Sequence, residues 1–375
     1  MHCPKLLSTL SAPAVLILGI AAMERASARL PMHNPSDSSA SSSARSAQPS
    51  LLSVPGPVIQ RLDPGLDAIV PKQPQLTRVA TGYTWTEGPI WIHAGYLLFA
   101  DIPSNSIRKV TPQGQASIFM QPSGHLGSSP WGPEPGSNGM TLDARGRLTV
   151  AGHAQRNVWR LETMNPKGER TILADSYQGK KLNSPNDLVY KSDGSLYFTD
   201  PPYGLPKQNE SDADKELSFQ GVYRIPDAIH HKPGAPPDNS RLELLVRDLP
   251  RPNGIAFSPD EKYLYVNNSE PRKLWMRYPV KSDGTLGPGT LFGDATSDPR
   301  VGAPDGMKVD KQGNVYSAGP GGVWIFSPSG RHLGVILVPE RVGNLNWGGA
   351  DGKQLYITAS SSVYRIPLKI EGIRP

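Results

Sequence analysis

One short unit recurs along this chain: a polar anchor residue, a strand-like apolar alternation, a tight turn about eight residues after the anchor, and a second strand. It is plainest in "NGMTLDARGRLTVAG" from Asn138, "NDLVYKSDGSLYFTD" from Asn186, "NGIAFSPDEKYLYVNN" from Asn253 and "DGMKVDKQGNVYSAG" from Asp305. Counting back eight residues from two further turn glycines, Gly95 and Gly352, reaches Glu87 in "TEGPIW" and Asn344 in "GNLNWGGADG". The sixth copy is the weakest, because Leu345 and Trp347 sit one register off. A third strand follows each unit, as in "SIRKV", "VWRL" and "VWIF". The anchors lie between 39 residues (305 to 344) and 67 residues (186 to 253) apart. Such a period marks a blade array, and a ring is what closes one without long exposed strand edges. The expectation is an all-β, six-bladed β-propeller with a central metal site. "LTRVATG" (Leu76 to Gly82) should add the outer strand of the last blade and clasp the ring.

Two segments interrupt the period. "LPKQNESDADKELSFQ" (Leu205 to Gln220) is a polar insertion within the third unit, and "SGHLGSSPWGPEPGS" (Ser123 to Ser137) precedes the second anchor. Both should hang over one face of the ring, placed as a lid would be. The 38 glycines and 39 prolines suit a molecule of short strands and many turns.

Ahead of the repeats, Lys5, the apolar run Leu6 to Met23 and Ala26-Ser27-Ala28 read as an export signal spanning residues 1–28. An uncleaved anchor is the alternative, although Ser8, Ser11 and Pro13 interrupt a run that barely reaches bilayer length. Residues 29–70, which include "NPSDSSASSSARSAQPS", have little to bury and read as a disordered linker, leaving 71–375 as the propeller. Location is then periplasmic or secreted, with no membrane association after cleavage. The only cysteine, Cys3, lies in the leader, which leaves the mature protein no disulfide, thiolate metal site or cysteine nucleophile. The formal charge of +6 is scattered and never forms a basic run, so nucleic acid is not an expected partner.

The first strand of each blade lines a propeller's channel, so Glu87, Asn138, Asn186, Asn253, Asp305 and Asn344 should point inward at one level. A strand-starting turn that caps its own backbone explains any one of them. It explains neither Glu87 nor six in register. Two carboxylates and four carboxamides, without histidine or thiolate, suit a hard cation: calcium first, magnesium second, with zinc and manganese as further alternatives. Second strands return to the same mouth, so Asp101, His153, Asp200 and Asn268 should rim it. His153 reads either as a histidine of the surface or of the layer behind the site, or as a substrate-binding or proton-transfer group above the metal. Asn138, Asn186, His153, Asp200 and Tyr203 are the candidates for substrate contact, and Trp131 and Tyr203 on the two loops leave room for a wide apolar mouth.

"TEGPIW", "LNSPNDLV", "YFTDPPYG", "PNGIAFSPDEKYLYV" and "PDGMKVDKQGNVY" resemble the gluconolactonase branch of the superfamily that also contains senescence marker protein (regucalcin) and luciferin-regenerating enzyme. The resemblance runs in order from about Thr86 to Ile366. It implies a six-bladed propeller holding one catalytic divalent ion, usually calcium, with Glu87, Asn253 and Asp305 as ligands. It places Asn186 at the border of the ion, in contact with substrate, and gives Asp305 the acid/base role; Asn138 has no assigned counterpart. An arginine found in some relatives ahead of the third motif is absent from "KKLNSPND", where Lys181 is the candidate substitute. The implied activity is hydrolysis of a sugar lactone, a small-molecule substrate. An aryl-ester or phosphotriester hydrolase on the same site and a non-catalytic calcium- or ligand-binding propeller are the rival readings. No Gly-x-Ser-x-Gly elbow suggests a serine hydrolase.

Overall fold

The computed structural model describes residues 51–373. The leader, Cys3 and the first half of the expected linker lie outside the described residues. Each expected unit forms an antiparallel sheet, of four strands in blades one to four and of five in blades five and six, and the sheets follow one another around a ring. The inner strands are Thr86–Ile92, Met140–Leu142, Leu188–Tyr190, Pro252–Phe257, Met307–Val309 and Val342–Gly348. Each of these contacts the next, and the sixth returns to the first, so the propeller has six blades. Among the described residues no helix is long and apolar enough to cross a membrane.

Burial on both faces of each blade explains why the middle strands read as apolar runs rather than clean alternations. Leu196–Asp200, for example, is buried at every position. The core lies between neighbouring blades: Ile90, Leu98 and Ile107 of blade one pack with Leu142, Val150 and Trp159 of blade two. The turn positions behave as the repeat implies. Gly146, Gly194 and Gly313 take left-handed φ of 75°, 84° and 84°, and Glu261 fills the same place in blade four at 54°. Glycine is favoured there because a Cβ strains that conformation.

Thr77–Thr81 pairs with Ser362–Pro367, so the strand expected from "LTRVATG" does clasp the ring. The folded part begins earlier than Pro71, however. Leu52–Ser53 pairs with Thr77–Thr81 as a fifth strand of blade six, and Ile59–Arg61 pairs with His332–Leu337 as a fifth strand of blade five. Between the latter and Pro71, a 3-10 turn over Pro64–Ala68 buries Leu66 completely, together with Ile69 and Val70. Those apolar residues are spaced irregularly among Pro and Gly, which gives no strand or helix period to read.

Candidate metal and substrate site

In blades one and four the anchors sit in β-bulges: the register slips between Glu87 and Ile90 and between Pro252 and Ile255. A bulge re-aims a side chain that the pleat would otherwise carry away. In blades two, three and five the anchor stands two residues ahead of the inner strand, freed from the ladder in the same way. Glycine follows four of the anchors because the next blade comes too close for a side chain. A Cβ on Gly254 would lie 2.2 Å from the Asp305 carbonyl oxygen, and one on Gly139 would lie 2.5 Å from that of Asn186. The Gly139 amide donates to that Asn186 oxygen at 2.8 Å, tying blade two to blade three at the level of the site.

Five anchors, Glu87, Asn138, Asn186, Asn253 and Asp305, line one cavity of about 270 Å³ at the axis. Its remaining wall comes from Trp85, Glu134, Tyr203, Ser269 and Arg341. Burial pushes the Glu87 carboxyl well above the usual carboxylate range, and the charges of Asp305 and Asp187 push it further. Its Oε2 accepts from the Gly88 amide at 2.7 Å, which partly offsets this. Asp305 is pushed up to about 7, first by burial; Arg341 opposes the rise, while Glu134 and Asp187 add to it. Glu87 and Asp305, both buried, each make the other's charge costly, and a divalent cation between them would offset that cost.

The amides fit such a cation. The Asn253 Nδ2 donates to the Ser269 hydroxyl at 3.3 Å, and that hydroxyl is itself fixed on the Pro304 carbonyl at 2.6 Å. This leaves the buried Asn253 Oδ1 without a hydrogen-bond partner, and the Asn138 Oδ1 is in the same position. A buried amide oxygen left unpaired costs roughly 1–3 kcal/mol, which an ion or a substrate hydroxyl would recover. Among the described residues no group of three or more His, Cys, Asp or Glu side chains is placed to hold a metal. The donor set here is two carboxylates completed by neutral carboxamides, which is oxygen-only and suits a hard cation.

Several expected site residues stand elsewhere. Asn344 does not line the cavity: its Oδ1 caps the amide of Leu345 at 2.8 Å, and its side chain hydrogen-bonds Glu87. The self-capping turn thus describes the sixth anchor, the one whose repeat was out of register. Asp200, expected to contact substrate, is fully buried and accepts from the Asn183 and Ser184 amides at 2.8 and 2.7 Å. Asp101 and Asn268 do the same for Thr84 and Arg251, at 3.0 and 2.7 Å. These second-strand ends therefore hold the loops that lead into the anchors instead of rimming the mouth. His153 is completely buried behind Glu134. Lys181 is exposed on a small two-stranded ribbon, so it does not substitute for an arginine at the site.

Tyr203 does line the cavity, whereas the Trp131 indole donates to the Gly204 carbonyl at 2.7 Å and joins the two inserted loops. The loop ahead of blade two gives the cavity Glu134, and Tyr203 reaches it from just ahead of the blade-three insertion. Sequence reasoning missed Glu134, Arg341, Trp85 and Ser269. Glu134 alone left a trace, as the only acid in the loop before Asn138. The Arg341 guanidinium lies 5.0 Å from the Trp85 ring centroid, a pairing between blades that no local pattern announces.

Fold and site together define a six-bladed propeller with a polar, acid-containing cavity on its axis. A model of the SMP-30/Gluconolactonase/LRE-like region matches residues 85–361, and the chain belongs to that family. The gluconolactonase of Zymomonas mobilis is 40% identical over 325 residues, 84% of this chain and 87% of that protein. The 6-deoxy-6-sulfogluconolactonase of Pseudomonas putida is 35% identical over 278 residues, 73% of this chain and 82% of that one. Among solved structures, a gluconolactonase from Xanthomonas campestris matches with a TM-score of 0.70 at 31% identity, covering 86% of this chain and 99% of that chain. The calcium-binding regucalcin of Agrobacterium tumefaciens, at 17% identity and a TM-score of 0.59 over 79% of this chain and 97% of its own, shares the fold. The resemblance legible in the motifs is borne out.

Proposed function

We propose that this chain is a lactonase that hydrolyses a sugar lactone with the help of a bound divalent cation, calcium being the first choice. The observation that carries the reading is the convergence of two buried carboxylates and partnerless amide oxygens on one axial cavity. Family membership and the gluconolactonase at 40% identity support the reaction class. A wall of acids, amides and one guanidinium, in which Trp85 and Tyr203 are the only aromatics among the described residues, favours a polyhydroxylated substrate over an apolar aryl ester.

Glu87, Asn253 and Asp305 would hold the cation, with Asn186 at its border. Bound there, it supplies Lewis-acid polarisation of a carbonyl and lowers the pKa of a coordinated water. The chain's own part begins with orientation. Ser269 fixes the Asn253 amide so that its oxygen faces the cavity. The Asn138 and Asn186 amides, both in the cavity wall, would donate N–H groups to substrate oxygens, including the oxyanion that develops on the lactone carbonyl. Asp305 orients the attacking water and takes its proton.

The test is proton release from glucono-1,5-lactone by chelated protein, with and without added calcium. Activity should vanish on chelation, return with calcium and stay absent in Asp305→Ala. A protein that binds a divalent ion tightly yet hydrolyses nothing would overturn the assignment. The leader-type sequence supports an exported enzyme; the mature chain should then begin at Arg29, as N-terminal sequencing of periplasmic or secreted protein would read.

A further inference from the structure

Glu134 faces the cavity from the loop ahead of blade two, and nothing in the scheme above uses it. Its side chain is 21% exposed, and its Oε2 lies 2.8 Å from Nε2 of His153, whose ring is fully buried. The other ring nitrogen, Nδ1, lies 3.2 Å from the Pro185 carbonyl oxygen. A backbone carbonyl has no proton to give, so Nδ1 carries the hydrogen in that bond. The Nε2 contact with Glu134 therefore contains one further proton, bonded either to the ring or to the carboxyl. In both forms the pair holds a single transferable proton, and only its Glu134 end opens on the substrate.

The surroundings keep that geometry. A Cβ on Gly204 would meet the His153 ring at 2.7 Å, so the ring is packed tightly by the insertion of blade three. The loop carrying Glu134 is pinned by His125 N to Pro135 O at 2.6 Å, Gly136 N to Ile102 O at 3.0 Å and the Trp131 indole on Gly204. Glu134 is also near enough for its charge to be felt at Asp305. Of the three carboxyl groups that line the cavity, Glu87 and Asp305 stand among the candidate metal ligands, whereas Glu134 stands on an imidazole. Environments that differ in this way give paired carboxyls separate acid and base tasks.

We propose that Glu134 is the general acid of lactone opening, donating the proton of the Glu134–His153 pair to the ring oxygen, with His153 as the positioning residue behind it. The inference rests on the lactonase reading. The water oxygen bonds to the carbonyl carbon and its proton passes to Asp305. The bond from carbonyl carbon to ring oxygen then breaks, its electron pair goes to the ring oxygen, and that oxygen takes the proton from Glu134. Asp305 returns its proton to solvent and solvent reprotonates the pair, so the balance is lactone plus water to hydroxy acid.

The experiment compares glucono-1,5-lactone with its 5-thio analogue, in which sulfur replaces the ring oxygen. A thiol leaving group, with a pKa near 8.5 against far higher for an alcohol, departs without an acid. Glu134→Gln should lower kcat on the oxygen lactone about 100-fold or more, as loss of a general acid does. Its kcat on the thiolactone should fall less than about 3-fold on the same argument, with KM unchanged for both. His153→Phe should reproduce this selectivity, and the double variant should be no worse than Glu134→Gln, since the two residues act as a unit. Calcium binding by each variant reports whether the cavity stays folded. Independently of activity, the ¹⁵N shifts of His153 should show Nδ1 protonated. Equal losses on both substrates, a change in KM alone, or an Nε2-protonated neutral ring with a bare Nδ1 would overturn the proposal while leaving the lactonase standing. A wild-type protein that opens neither substrate would overturn the lactonase reading and this one with it.

Discussion

At the scale of single residues, the site is aimed as much by its glycines as by its polar anchors. Gly254 lets the backbone of blade five pass 2.2 Å from where a Cβ would stand, and its amide donates to Asn267 Oδ1, whose Nδ2 holds the Asp305 carbonyl. Gly254→Ala should therefore push Asp305 off its position and destabilise the fold by about 1–3 kcal/mol or more. Calcium affinity should fall with it. Gly146→Ala is the control: its Cβ meets nothing within 4 Å, and only the left-handed φ of 75° is strained. That variant should cost about 1–2 kcal/mol and leave calcium binding unchanged. Urea unfolding and a calcium titration on both proteins check the contrast. The same residues show what the sequence could reveal. Five of the six anchors were legible because a polar residue broke the apolar pattern at a fixed distance from a turn. Glu134 and Arg341 were not, because their place at the cavity is set by loops and by a neighbouring blade rather than by any period. His153 reads from the sequence either as a residue behind the site or as one at its mouth; the structure has it buried behind Glu134, a residue that strand geometry could not place in front of it.

At the scale of elements, blades one to six were readable, while the short strands that reinforce blades five and six were not. Their test is Leu66, which is wholly buried in a stretch that composition assigns to the linker. Leu66→Ala should cost about 2–5 kcal/mol, a core value, where a disordered linker would give almost nothing. The outermost regular strand of blade five offers a second test. His332, on that strand, stacks on Trp324 of the neighbouring strand at 4.0 Å between centroids and 5° between planes. Burial, the larger cause, and the Arg300 charge lower its pKa from 6.5 to about 4. The folded state thus prefers the neutral ring, and its contribution is complete above the unfolded value of about 6.5. As pH falls from there through about 4, the unfolded chain takes up the proton first and stability is lost. His332→Phe keeps the stack and removes the proton, so the melting temperature of the variant minus that of the wild type should rise as pH drops across this window. A flat difference would mean the ring is protonated in the fold.

At the scale of the whole molecule, closure and the candidate metal site reinforce each other. The strand Thr77–Thr81, from ahead of blade one, is zipped onto the last blade, so opening the ring parts segments from opposite ends of the repeat array. The candidate ligands Glu87, Asn186, Asn253 and Asp305 come from blades one, three, four and five, so an ion held by them ties together parts far apart in sequence. A ligand that binds only the folded ring stabilises it by mass action, about 2.7 kcal/mol at a hundredfold excess over Kd. For a domain of this size that corresponds to a melting shift of roughly 5 °C, at about 2 °C per kcal/mol. Chelation should remove the shift from a single cooperative transition, since the ion acts on every blade it bridges. Asp305→Asn separates function from stability. Glu87 and Asp305 each raise the cost of the other's charge in the metal-free cavity, so neutralising one should raise the melting temperature of the chelated protein. The same change should abolish the calcium-dependent increment and the lactonase activity together. Differential scanning calorimetry of wild type and variant, each with chelator and with calcium, reads both effects. If the chelated variant melts lower than the wild type, the two acids are not in conflict in the free protein, and the ion has no repulsion to relieve.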